Sequence, residues 1–191
     1  MVTRSGVPVG ELVPLRRHRF VSADAAVAMF LGAPGVDFDR FRRHLDRRVS
    51  QDATPVAETR PLRGLLDTSV VIDLEPIDPG VLPREVAVSA ITMAELGAGP
   101  HAAADANERA RRQDRLQRAE AAFDPLPFDL EAARAYARIY AAIVAAGRKA
   151  RGPRAADLLI PGSACAHDLP LYTRNIDDSR SLDDLVRVVE I

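Results

Sequence analysis

Cysteine is almost missing from this 191-residue chain: Cys165 stands alone, so no internal disulfide and no cysteine-built zinc site can form. That usage fits a reducing compartment and favours the cytosol. Lysine is equally scarce, Lys149 being one of 26 basic residues, and with the heavy use of alanine this reads as codon bias in a GC-rich genome. No function follows from it. A charge excess is lacking too: Lys+Arg 26 against Asp+Glu 27 gives −1, which argues against a histone-like binder and requires any nucleic acid to be met locally. The N-terminal residues have no apolar h-region behind their charge, and no segment approaches ~18 consecutive apolar residues, so membrane spanning and secretion by that route are disfavoured. What is present is 47% hydrophobic residue in 20.7 kDa, enough for one well-buried domain plus an appendage.

Charge is unevenly placed. Residues 1–61 hold 10 basic and 7 acidic side chains, and residues 62–191 hold 16 and 20, so the parts differ in sign and the front part is suited to lie on the rest. The front part opens with an alternating stretch, Val7 to Val13, that reads as a strand with an edge proline and no obvious partner. Ser22 caps an expected short apolar helix through Leu31, which Gly32 and Pro34 end. A second helix is expected over residues 37–50, with Phe38, Phe41, Leu45 and Val49 on one narrow face and Arg40, Arg43, Arg47 and Arg48 around it. That stripe needs a surface to lie on. The stretch 51–61, QDATPVAETRP, has two prolines and little periodicity and divides the chain into a tail (1–50), a linker (51–61) and a main domain (62–191).

Beyond the linker, short apolar runs alternate with helical stretches. Strands are expected at 64–67, 86–88, 169–173 and 186–191, and helices at 68–74, 92–96, 105–121, from Asp129 to Gly147, and 155–167. Such alternation predicts an α/β fold with a parallel sheet covered on both faces, whose ligands bind outside the carboxyl ends of the strands. Acids stand there. Asp67 ends the first strand, Glu95 lies on the helix after the second, Asp157 is near the start of a helix and Asp178 follows the strand ending at Thr173. Clustered carboxylates repel unless a divalent cation screens them, and an all-oxygen set suits Mg²⁺ or Mn²⁺, which can activate water against a phosphodiester. Plainer roles remain open at this point: a helix cap for Asp67, solvated helix faces for Glu95 and Asp157, an acidic turn for Asp178.

The local words LLDTSVVIDLE (65–75), VSAITMAELGAG (88–99), RAADLLI (154–160) and LPLYTRNIDD (169–178) resemble, in order, the four acidic motifs of PIN domains, most closely the VapC ribonuclease toxins of bacterial toxin-antitoxin pairs. By that likeness Asp67, Glu95 and Asp157 match the family's metal-binding acids and Asp178 the fourth acid, with Asp177 its neighbouring rival. Ser69, Thr173 and Asn175 match its supporting polar positions. The resemblance implies a PIN-like three-layer domain with a central parallel sheet, a homodimer through that domain, and Mg²⁺- or Mn²⁺-dependent endoribonuclease activity on structured RNA, often tRNA. The chain departs from the pattern at Pro161-Gly162, where a small helix-forming pair is usual, and at Ser179, where a phenylalanine commonly stands. An interior proline costs ~3 kcal/mol. A helix continuous from Ala155 is therefore expected to kink at Pro161, and Pro161→Ala with Gly162→Ala to raise the melting temperature and tighten Mg²⁺ binding.

The stretch from Val2 to Phe30 is similar to the end of the DNA-binding domain and the toxin-wrapping tail of Phd/YefM-type VapB antitoxins. This implies an antitoxin-like strand and helices joined to a toxin, docked in cis or on a neighbouring chain, and no operator binding by this chain alone. In such pairs the tail lays amphipathic helices in a toxin groove and brings an arginine to the acidic site. Phe38, Phe41 and Leu45 are the expected anchors here and Arg47 and Arg48 the expected arginines, since Arg60 and Arg63 lie too close to the first strand to fold back. The histidines form no H-E-x-x-H pattern, Gly97-Ala98-Gly99 lacks a nucleotide loop's further glycine or lysine, and Cys165 reads as a small core residue.

Overall fold

The computed structural model describes residues 2–4, 7–10, 17–31, 60–145, 147, 153–175 and 185–191. Phe38, Phe41, Leu45, Arg47 and Arg48, most of the linker, and Asp177 and Asp178 lie outside the described residues. The alternating stretch near the N-terminus does find a partner: β1 (Val2–Arg4) pairs antiparallel with β2 (Val7–Gly10). Ser22 caps as its type predicts, accepting from Ala25 N at 3.2 Å, and joins β3 (Val21–Ser22) to α1 (Ala23–Phe30).

The apolar run ahead of Asp67 forms β4 (Arg63–Leu66), which leads into α2 (Thr68–Ile72). Then come β5 (Glu85–Ala87), α3 (Ala90–Ala98), α4 (Ala106–Ala122), α5 (Leu130–Ala145), α6 (Pro153–Ala156), α7 (Leu159–Ala166), β6 (Leu171–Thr173) and β7 (Val188–Glu190). The sheet order is β3-β5-β4-β6-β7. β5, β4, β6 and β7 run parallel, in registers such as Gly64 with Val86 and Leu65 with Leu171, and β3 adds an antiparallel edge by pairing Val21 with Val86. Alternation along each strand sends successive side chains to opposite faces. Leu66, Val86 and Tyr172 join one core with α1, α2, α3 and α4, whereas Leu65, Ala87 and Leu171 join the other with α5 and α7. The result is helix, sheet, helix in three layers. Among the described residues no helix is long and apolar enough to cross a membrane.

Residues 17–31 are built into this architecture. Ala23, Ala26, Val27 and Phe30 are buried with Val70, Val71, Leu82 and Val86, and a buried Val or Phe contributes about 1.5 to 3 kcal/mol before entropy is charged. Polar contacts fix the same segment: Arg118 on α4 donates to the carbonyls of Met29 (3.0 Å) and Leu31 (3.3 Å) at the open end of α1. Asp124 N donates to His18 O at 3.1 Å, and the Arg63 guanidinium lies 4.5 Å from the centre of the Phe20 ring. An expected appendage thus supplies an edge strand and a core helix.

The helix expected over 155–167 is not continuous. It divides into α6 and α7 at Asp157-Leu158, because the proline ring of Pro161 cannot coexist with a helical bond to the carbonyl of Asp157. Pro161 then falls in the first turn of α7, where its missing N–H has no acceptor to lose, and the first bond is Gly162 N to Leu158 O at 2.9 Å. A Cβ at Gly162 would sit 3.1 Å from Cβ of Tyr136 and 3.3 Å from the Ala132 carbonyl oxygen on α5, so the stabilisation expected of alanine there is opposed by the shift that α5 would have to make.

Candidate active site

Asp67 occupies the position where an aspartate ordinarily caps a helix, and its carbonyl takes the opening bonds of α2 from Val70 N and Val71 N. Its side chain makes no capping bond. Oδ2 instead accepts from Ser69 Oγ at 2.6 Å and from Thr173 Oγ1, at the end of β6, at 2.9 Å. Those hydroxyls are held in turn, since Arg174 N donates to Ser69 Oγ and Asn175 N donates to Thr173 Oγ1, both at 3.1 Å. Hydrogen bonds to a charged acceptor are worth ~1.5–3 kcal/mol each, which offsets the cap that Asp67 forgoes. No hydrogen bond to Oδ1 is made among the described residues.

Glu95 comes to the same place from α3. Its Oε2 accepts from the hydroxyl of Thr68, the residue directly after Asp67. The carboxyl ends of β4 and β6, the start of α2 and the middle of α3 therefore meet in one polar patch. Asp157 is exposed on the turn between α6 and α7, and α7 packs against α3. Among the described residues, no group of three or more His, Cys, Asp or Glu side chains is placed to hold one ion. The structure thus brings Asp67, Glu95, Ser69, Thr173 and the backbone of Asn175 together, and leaves Asp157 on a neighbouring turn.

The donor set fits a hard divalent cation. Every side chain in the patch offers oxygen, and on both acids the hydroxyls engage one oxygen, Oδ2 of Asp67 and Oε2 of Glu95. Thr68 was not picked out in the sequence, although it sits between the acid and Ser69 in the Asp67-Thr68-Ser69 triplet. Arg174 was missed as well: beyond its N–H bond to Ser69, its guanidinium pairs with Asp73 Oδ2 at 2.5 Å and ties the end of β6 to the end of α2. Arg60 and Arg63 are engaged away from the patch. Arg60 donates to the carbonyls of Pro79, Leu82 and Pro83, and Arg63 pairs with Glu85 at 2.7 Å.

The arginines spread around α4 are largely paired with acids of the same helix. Glu108 receives both Arg111 and Arg112, Arg118 pairs with Asp114 at 2.6 Å, and Arg109 and Arg115 make no ion pair among the described residues. The bonds from Arg112 and then Arg111 hold the Glu108 carboxyl below the usual carboxylate range.

Two acids steadied by hydroxyls thus stand outside the carboxyl ends of parallel strands, where open α/β sheets bind their ligands. Residues 64–180 match the PIN domain. The chain belongs to the PIN-domain family, on its VapC branch. It is 38% identical over 133 residues to Ribonuclease VapC5 of Mycobacterium tuberculosis (strain ATCC 25618 / H37Rv), an alignment covering 68% of this chain and 95% of that protein. Among solved structures it is similar to VapBC-5, a member of the VapBC family of toxin-antitoxin systems from Mycobacterium tuberculosis (TM-score 0.60, 35% identity, 69% of this chain and 100% of that one). It is also similar to FitAcB from Neisseria gonorrhoeae (TM-score 0.53, 30% identity, 66% and 96%). VapBC2 from Rickettsia felis, solved with a DNA fragment from its promoter, shares the fold at 20% identity, a TM-score of 0.55 and coverage of 68% and 98%.

Proposed function

We propose that this protein is a divalent-metal-dependent endoribonuclease of the toxin-antitoxin kind, held in check by its own front segment. The observation that carries the reading is Asp67: an acid at a helix start whose carboxylate is diverted from capping and fixed by Ser69 and Thr173. Its membership of a family with a relative named as a ribonuclease supports the same reading. Asp67 and Glu95, with Asp157 and Asp178, would hold Mg²⁺ or Mn²⁺, and the ion would supply charge stabilisation at the phosphodiester and activation of water. Ser69 and Thr173 fix the carboxylate of Asp67, and Asn175 secures Thr173 through its N–H. No protein nucleophile is required. RNA is the substrate class, a homodimer through the PIN unit the expected assembly, and the cysteine usage supports a cytoplasmic site.

The inhibitory part is assigned to Phe38, Phe41 and Leu45 as anchors and Arg47 and Arg48 as the cations presented to the acids. Supporting it, residues 17–31 fasten the front segment to the fold on one side and Arg60 fastens it on the other, to the carbonyls of residues 79–83. The test is RNA cleavage with and without Mg²⁺ by the full chain, Phe38→Ala/Phe41→Ala, Arg47→Ala/Arg48→Ala, and each with Asp67→Asn. Activation by the double substitutions and its loss with Asp67→Asn is the expected pattern. Equal cleavage by the parent and both double variants refutes inhibition. No cleavage by any of them favours the alternative of a catalytically silent partner in a repressor complex. The segment 62–191 is the wrong reagent for this purpose, because it lacks β3 and α1.

A further inference from the structure

Glu95 is an exposed glutamate on a helix face, a side chain free to rotate about three bonds. Among the described residues its one hydrogen-bond partner is the hydroxyl of Thr68. Thr68 is the opposite kind of residue: it is 9% exposed, β-branched and therefore stiff at χ1, and it opens α2 with its backbone fixed by the junction from β4. Its hydroxyl does not serve its own helix. It reaches across 27 positions of sequence to Oε2 of the acid on α3.

Building on the metal-site reading, we propose that Thr68 is a positioning residue that sets the orientation of Glu95 towards Asp67. Two like charges brought together before a cation arrives repel each other, and each is steadied here by hydroxyl donors on one oxygen: Ser69 and Thr173 for Asp67, Thr68 for Glu95. The remaining oxygen on each acid takes no hydrogen bond among the described residues. Because Thr68 is the next residue after Asp67, any movement of the α2 start carries both acids together, so their separation is maintained by the chain itself. A donor that orients a ligand in this way typically governs metal affinity by 10- to 100-fold.

The test uses the full chain carrying Arg47→Ala/Arg48→Ala as its parent, so that no tail cation competes for the acids, and Mn²⁺ binding followed by titration calorimetry, which needs no RNA. Thr68→Val keeps the shape and removes the donor, whereas Thr68→Ser keeps the donor. The expected results are about 10-fold weaker Mn²⁺ binding for Thr68→Val and recovery to within about 3-fold of the parent for Thr68→Ser. In a Glu95→Gln background, Thr68→Val should have no further effect, since Thr68 acts through Glu95. Should Thr68→Val not fold, Thr68→Ala in both backgrounds replaces it with the same expectation. Parental Mn²⁺ affinity in Thr68→Val, or an additive loss on top of Glu95→Gln, overturns the positioning role. Parental affinity in Asp67→Asn as well refutes the metal site on which it rests, and that outcome is distinguishable because it does not involve Thr68.

Discussion

Two junctions in this molecule are written in the same local grammar and used differently. At Ser22 a strand of the sheet turns into an apolar helix, and the side chain does what its type predicts by accepting from a backbone N–H of the first turn. At Asp67 a strand again turns into an apolar helix and the residue is again a strong capper, yet the carboxylate turns away to two hydroxyls, one of them on another strand. The first junction lies outside the stretch matched to the PIN domain. The second lies within it. A capping residue withheld from its cap and held by two hydroxyls is the observation on which the proposed metal site rests.

The comparison can be broken first at the structural junction. Phe30→Ala removes a side chain 7% exposed in the core shared by α1 and the central sheet, and should lower unfolding free energy by about 3 to 5 kcal/mol in urea melts. A loss under about 1 kcal/mol would show that residues 17–31 merely lie on the domain. Next in size, Gly162→Ala should cost about 1 to 3 kcal/mol by driving a methyl into Tyr136 and the Ala132 carbonyl, whereas Pro161→Ala should be nearly neutral. Comparing the two melting temperatures checks this. Ser22→Ala should cost about 1 kcal/mol and leave divalent-ion binding at the parental level. The smallest effect belongs to Glu108→Gln on α4. Its carboxyl is held below the ordinary 4.5, so its stabilisation is present above about that pH and disappears as pH falls through the lowered value. Melts from pH 7 downwards should show a slight deficit for Glu108→Gln that closes in acid.

What could be read in the sequence was whatever is decided locally. The helix begun by Ser22 was legible because a capper precedes an apolar run that Gly32 and Pro34 terminate, and the strand before Asp67 because a short apolar run meets an acid. Their placement was not. β3 is two residues long, and its partner β5 lies over 60 positions away, so no periodicity announces the pairing. β1 escaped notice for a different reason: at three residues it is too short to show a period, although its partner β2 is close in sequence. At Pro161 the local signal was legible, down to the Asp157 carbonyl that the proline cannot bond, and the structure answers it with a split at Asp157-Leu158 where a kink was expected. In the site, Asp67, Glu95, Ser69 and Thr173 were legible as a family pattern. Thr68 was not, because a threonine at the start of a helix is an ordinary helix residue until its hydroxyl is found on Glu95.

Thermal melting of the Arg47→Ala/Arg48→Ala chain as parent, and of the same chain with Ser22→Ala or Asp67→Asn, each with and without saturating Mn²⁺, tests the contrast between the junctions most directly. A ligand that binds the native state raises its melting temperature by mass action. Ser22→Ala should start lower than the parent and gain the full Mn²⁺ increment, whereas Asp67→Asn should start at or above the parent and gain none. If Asp67→Asn starts as low as Ser22→Ala and still gains the parental increment, Asp67 is only another helix cap and the account is contradicted.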